Sequence, residues 1–156
     1  MSAPATTVRV FADSNVFVEG LFSPWSNSRA ILILARAGMF RLVLSPYVKD
    51  EVEGVLLRRF GTNPEVVGRL IDDYDRALGL LEPEMTGRIS REEFNAHRAL
   101  IRHGHDVPVL VTAIKARPDW LVTSNIDHFT PEVATRTGLR IVTPPQFLRL
   151  FGISTL

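Results

Sequence analysis

The chain has 156 residues, of which 46% are hydrophobic and 22% charged, and its formal net charge is +1 at pH 7. That length suits one domain with a substantial core, and no linker, repeat or low-complexity tract divides residues 1–156. The absence of cysteine excludes disulfides and thiolate metal sites, and no apolar run reaches the roughly 20 residues of a membrane span.

Residues 8–13 read as a buried strand that runs straight into Asp13, Ser14 and Asn15. "FSPWSNS" then reads as a loop, and "SNSRAILILARAG" as a helix capped by Ser26 or Ser28 and stopped by Gly38. "FRLVLS" is a second strand. "SPYVKDEVEGVLLRRF" is a helix with Ser45 as N-cap and Pro46 in its first turn. "PEVVGRLIDDYDRALG" is a third helix, its acidic "DDYD" run suggesting a solvated face. "LLEP" is a short strand and "MTGRI" a loop, followed by a helix "SREEFNAHRALIRHG" that opens on a Ser90–Glu93 capping box. "DVPVLVTAIKAR" is a helix, "WLVTS" and "LRIVTP" are strands, and "PPQFLRLFG" is a short closing helix. Strands alternating with helices over short loops predict a parallel sheet covered on both faces.

In such a sheet ligands bind where the carboxyl ends of the strands gather, and Asp13 and "TSNID" (123–127) both fall there. At about 100° per residue, Val48, Val52, Val55 and Leu56 form one helical stripe, with Glu51 on its margin and Asp50 and Glu53 turned to solvent. The same construction places Asp106, Leu110, Ala113 and Ile114 on one face. Each acid has a plain structural explanation taken singly. Asp106 ahead of proline suits an N-cap, Asp13 suits a turn, and Glu51 suits a packed surface acid. Their convergence on one sheet edge points further. Carboxylates crowded in a pocket repel one another unless a cation joins them, and hard oxygen donors suit Mg²⁺ or Mn²⁺. Such ions polarise phosphodiesters, which is nuclease chemistry.

The ordered blocks "FADSNVFV", "LSPYVKDEVEGVL", "DVPVLVTAI" and "WLVTSNIDHF" resemble the signature blocks of PIN-domain proteins, over about Val8 to Phe147. The set is similar to bacterial PIN proteins of the VapC toxin group. The resemblance implies a three-layer α/β/α domain with a central parallel sheet and Mg²⁺- or Mn²⁺-dependent ribonuclease activity. By position, Asp13, Glu51 and Asp106 match the family's first three acids, Asn15 its first-block asparagine, and Thr123 the hydroxyl that opens the fourth block. The usual Thr-x-Asp is here Thr123, Ser124, Asn125, so a neutral amide stands at the fourth acid and Asp127 is the candidate to supply the missing charge. The resemblance also implies RNA as substrate, a cognate antitoxin protein as partner, and a homodimer.

Other features admit two readings. Trp25 either stacks an RNA base or caps the core, and His128 either meets substrate or is merely packed near the pocket. "HGHD" (103–106) suggests zinc, but a lone His-x-His lacks a third ligand at helical or hairpin spacing. All 18 basic residues except Lys49 and Lys115 are arginines, a phosphate-gripping group, although a compositional bias accounts for the same excess. "MSAPATT" lacks the basic and apolar regions of a secretory leader, so a cytoplasmic location is expected. Two phosphoryl-transfer classes fit poorly. Asn15 occupies the place of the second aspartate of haloacid-dehalogenase-like phosphatases, and the acid pair and late lysine of receiver domains are out of position. The serious alternative to a nuclease is a weak or inactive PIN-type binding module, favoured by Asn125 and opposed by the three acids.

Overall fold

Val10, Phe11 and Ala12 have no solvent exposure, because β1 (Arg9–Ala12) is the central strand of the sheet. The computed structural model describes residues 7–153. It contains a five-stranded, all-parallel sheet with β2 (Arg41–Leu44), β3 (Glu84–Met85), β4 (Trp120–Val122) and β5 (Ile141–Val142), in the order β3-β2-β1-β4-β5. Register pairs Phe11 with Val43 on one side and with Leu121 on the other. Near-continuous apolar strands such as "RLVL" and "WLV" are what a sheet covered on both faces requires.

Among the described residues eight helices cover it: α1 (Ser14–Phe22), α2 (Asn27–Arg36), α3 (Pro46–Phe60), α4 (Pro64–Leu81), α5 (Arg91–His97), α6 (Val107–Ala116), α7 (Pro131–Thr137) and α8 (Pro144–Leu150). With right-handed crossovers, the steps β1 to β2 to β3 put α1–α4 on one face. The return from β3 to β4, and the step on to β5, put α5–α7 on the other. The architecture is three-layer α/β/α. On α3, Val48, Val52 and Leu56 are the buried stripe and Ser45 caps the helix, its hydroxyl accepting from the Tyr47 N–H at 3.2 Å. The Ser90–Glu93 capping box is formed in both directions.

Several elements differ from the expectations. α1 is an additional helix ahead of the expected "FSPWSNS" loop, which shortens to the connection between α1 and α2: it starts at the residue after Asp13, with Val16, Phe17 and Gly20 buried. The β-branched content of "NVFVEGLF" hides this helix, whose stability comes from its packed face. β3 begins directly after "LLEP" (80–83), because α4 runs on to Leu81 and Glu82 closes it in the left-handed conformation. The helix from Ser90 ends at His97 and passes through a 3-10 turn, with a second such turn at Gly104–Asp106. α7 has no counterpart among the expected elements. In "DDYD" the three aspartates are exposed, whereas Tyr74 is buried within α4 and its burial pushes the phenol up. No helix among the described residues is long and apolar enough to cross a membrane.

Candidate active site

The strand order reverses direction between β1 and β4, so the loops leaving these two neighbours diverge to opposite sides and open a crevice at their carboxyl ends. A pocket of about 410 Å³ lies there. Asp13, Glu51 and Asp106 all line it, with Asn15, Asn125 and Arg59. The three acids come from the end of β1, the first turns of α3 and the start of α6.

Asp13 is held by four groups. Its backbone N–H donates to Val122 O at 3.0 Å, tying it to β4. Its Oδ1 accepts from the Ser14 N–H at 2.8 Å, and its Oδ2 accepts from the Thr123 hydroxyl at 2.8 Å and Asn15 Nδ2 at 3.0 Å. Asn15 completes the clip, because its Oδ1 accepts from the Ser124 N–H at 2.9 Å. Thr123, fully buried, also accepts from the Asn125 N–H at 3.0 Å. Burial nonetheless holds the Asp13 carboxyl above its ordinary range, with Asp106 adding repulsion against the lowering effect of its donors. Glu51 is exposed as a residue, but its carboxyl faces the pocket. Desolvation there pushes its pKa up, and Asp13 and Asp106 add to the rise.

Asp106 occupies the N-cap position of α6, yet its side chain makes no capping hydrogen bond. The capping explanation for this residue therefore fails. Its two oxygens go instead to imidazoles: Oδ2 lies 2.6 Å from His128 Nδ1 and Oδ1 lies 3.4 Å from His105 Nε2. The carboxylate is buried at the pocket wall.

A family model described as the PIN domain matches residues 9–127. The chain belongs to the PIN-domain family. This PIN domain is similar in structure to VapBC2 from Rickettsia felis, solved bound to a DNA fragment from their promoter. The TM-score is 0.62 at 18% identity, over 87% of this chain and 98% of that one. It is also similar to PAE2754 from Pyrobaculum aerophilum, with a TM-score of 0.59 at 10% identity, over 94% of this chain and 90% of the other. At such identities the likeness is one of fold. No curated protein matches the chain.

Within this PIN domain, Asn125 lines the acidic pocket but Asp127 does not. Asp127 is exposed and lines a neighbouring pocket with Ile126, Thr130 and Gln146. The cause is the turn after β4, in which Asn125 O accepts from the N–H groups of both His128 and Phe129, at 3.3 Å and 2.9 Å. That turn carries Asp127 outward and brings His128 back to Asp106. Sequence pattern leaves Arg59 and His105 outside the acidic site and His128 only beside it. His105 has one available signal, its adjacency to Asp106; the other two join the site only by folding. Trp25 does not cap the core, since 87% of it is exposed.

Proposed function

We propose that this PIN domain is a divalent-metal-dependent endoribonuclease, with Asp13, Glu51 and Asp106 as its metal-holding carboxylates. The observation that carries the reading is the convergence of these three acids on one pocket at the sheet's switch point. Two of them, Asp13 and Glu51, are held above their ordinary pKa by burial and by neighbouring carboxylates, Asp106 among them, an electrostatic cost that a bound divalent cation offsets. The donor set is all oxygen, which fits Mg²⁺ or Mn²⁺. Bound there, the ion would supply Lewis acidity to a phosphodiester and to a water.

The chain's own residues prepare this chemistry. Thr123, Asn15 and the Ser14 N–H orient Asp13, while Oδ1 takes only one of these donors and keeps acceptor capacity. Asn125 presents a neutral amide at the pocket, limiting the negative charge that would repel RNA. Arg59 offers a guanidinium for a phosphate oxygen, its position supported by the Phe22 ring 6.0 Å away.

The proposal extends to a cognate antitoxin protein as partner and to a homodimer. The fold likeness to VapBC2, a promoter-bound assembly, supports the antitoxin. The test is incubation of purified protein with mixed-sequence RNA in Mn²⁺, Mg²⁺ or EDTA, beside Asp13→Asn. Cleavage that requires metal and disappears in the variant is the expected result. A folded protein that cleaves under none of these conditions would instead support a binding module, with Asn125 as the residue that disarmed it.

A further inference from the structure

Three of the four histidines in the chain meet at one place. His103 and His128 stack face to face with ring centroids 3.7 Å apart and planes inclined by 21°. His105 lies beside both, at 5.8 Å and 5.7 Å. The fourth, His97, lies on α5 with its Nδ1 2.6 Å from Glu93 O. Next to the cluster, Asp106 turns one carboxylate oxygen to each of two imidazoles.

We infer that His105, Asp106 and His128 form a two-imidazole, one-carboxylate site for a transition-series divalent cation such as Zn²⁺. One donor atom from each residue lies within 4.8 Å of the other two. Donors around one tetrahedral ion at 2.0–2.1 Å stand about 3.4 Å apart, so closure asks for a movement of up to about 1.5 Å. His105 can supply it: its side chain is 69% exposed and follows Gly104 in a single 3-10 turn. The other two donors are prearranged, with side-chain exposures of only 10% for Asp106 and 25% for His128. His128 Nδ1 and Asp106 Oδ2 are already paired at 2.6 Å by a hydrogen bond, so both donor atoms face the same point. His103 stacks on the His128 ring and so restricts its plane.

Imidazole nitrogen distinguishes this site from the oxygen-lined pocket next to it. Mg²⁺ favours oxygen donors in a strict octahedron, whereas zinc and its neighbours favour imidazole. Three protein ligands leave positions open, as in metal sites that bind a further small ligand. The site shares Asp106 with the proposed nuclease centre, so a zinc ion here competes with Mg²⁺ for that carboxylate. Neither cysteine nor a second histidine cluster exists to confuse its assignment.

The experiment is competition for Zn²⁺ between the EDTA-stripped, dialysed full-length protein and a chromophoric chelator, without RNA. Wild type should take up one equivalent that a large excess of Mg²⁺ does not displace. His105→Ala and His128→Ala should each weaken binding by roughly 100-fold, and His103→Ala by roughly tenfold. Asp13→Asn, outside the ligand set, should keep the stoichiometry and lose less affinity than either ligand variant. Absence of a tight equivalent, displacement by Mg²⁺, or His105→Ala binding as wild type does would overturn the assignment. Because His105 is exposed, its variant keeps the test valid should His128→Ala fail to fold. RNA cleavage in Mg²⁺ without Zn²⁺ uptake would overturn this site alone, and Zn²⁺ uptake without cleavage under any metal would count against the nuclease alone.

Discussion

The Thr123 hydroxyl donates to Asp13 Oδ2 across 2.8 Å, joining residues 110 positions apart at the adjacent ends of β1 and β4. Neither side chain reaches solvent freely, so the bond both positions the first acid and satisfies two buried polar groups. Thr123→Val should cost about 1–3 kcal/mol, since it strands the Asn125 N–H and removes a donor from Asp13. Urea denaturation measures this, and Thr123→Ser should restore most of the loss. A Val variant as stable as wild type would show the bond to be incidental.

The raised carboxyls imply a pH dependence of definite sign. Burial holds Asp13 above its usual 3.8, and burial with Asp13 repulsion holds Glu51 above its usual 4.5. In the window above those usual values the native protein retains protons that the unfolded chain has released. Metal-free stability from these groups is therefore full below the window and is lost as pH rises through it. In EDTA, Asp13→Asn should gain on wild type in melting temperature as the pH rises above the usual 3.8 of an aspartate. Added Mn²⁺ should narrow that gap by stabilising wild type. A gap that closes with rising pH in EDTA would contradict the assignment of Asp13.

Asn125 faces the acidic pocket and Asp127 faces its neighbour. Asn125→Asp should tighten Mn²⁺ binding by roughly tenfold, because ligand charge sets affinity at oxygen-donor sites. Asp127→Asn should leave both Mn²⁺ binding and RNA cleavage close to wild type, while Asp106→Asn loses both. Calorimetric titration and a cleavage assay separate these variants, and a large effect at Asp127 would mean that the turn rearranges when metal binds.

Gly20, on α1, faces Ser28 and Leu32 of α2. A Cβ there would sit 2.6 Å from Leu32 Cδ1 and 3.3 Å from the Ser28 carbonyl carbon. Leu32 can rotate but the Ser28 backbone cannot, so Gly20→Ala should destabilise by about 1–3 kcal/mol despite alanine's better helix propensity. Chemical denaturation would read this directly. A stabilised variant would mean that the helices part freely.

Local pattern and tertiary placement divide cleanly in this chain. The apolar runs of β1, β2 and β4, the caps at Ser45 and Ser90, and the stripe that leaves Glu51 on its margin are short-range properties. Side-chain chemistry and periodicity determine them wherever the segment packs, so the amino-acid order alone makes them legible. The helix after Asp13 is not legible in that way, because tertiary burial of Val16 and Phe17 overrides the weak helical preference of "NVFVEGLF". Nor is the fate of the side chains past β4: Asn125 and Asp127 are two residues apart, yet one turn sends them into different pockets. The third ligand absent from "HGHD" is the same kind of case. His128 is remote in sequence from His105 and Asp106, and only the reversal of strand order at β1 and β4, with the turn that follows, brings its ring to the carboxylate.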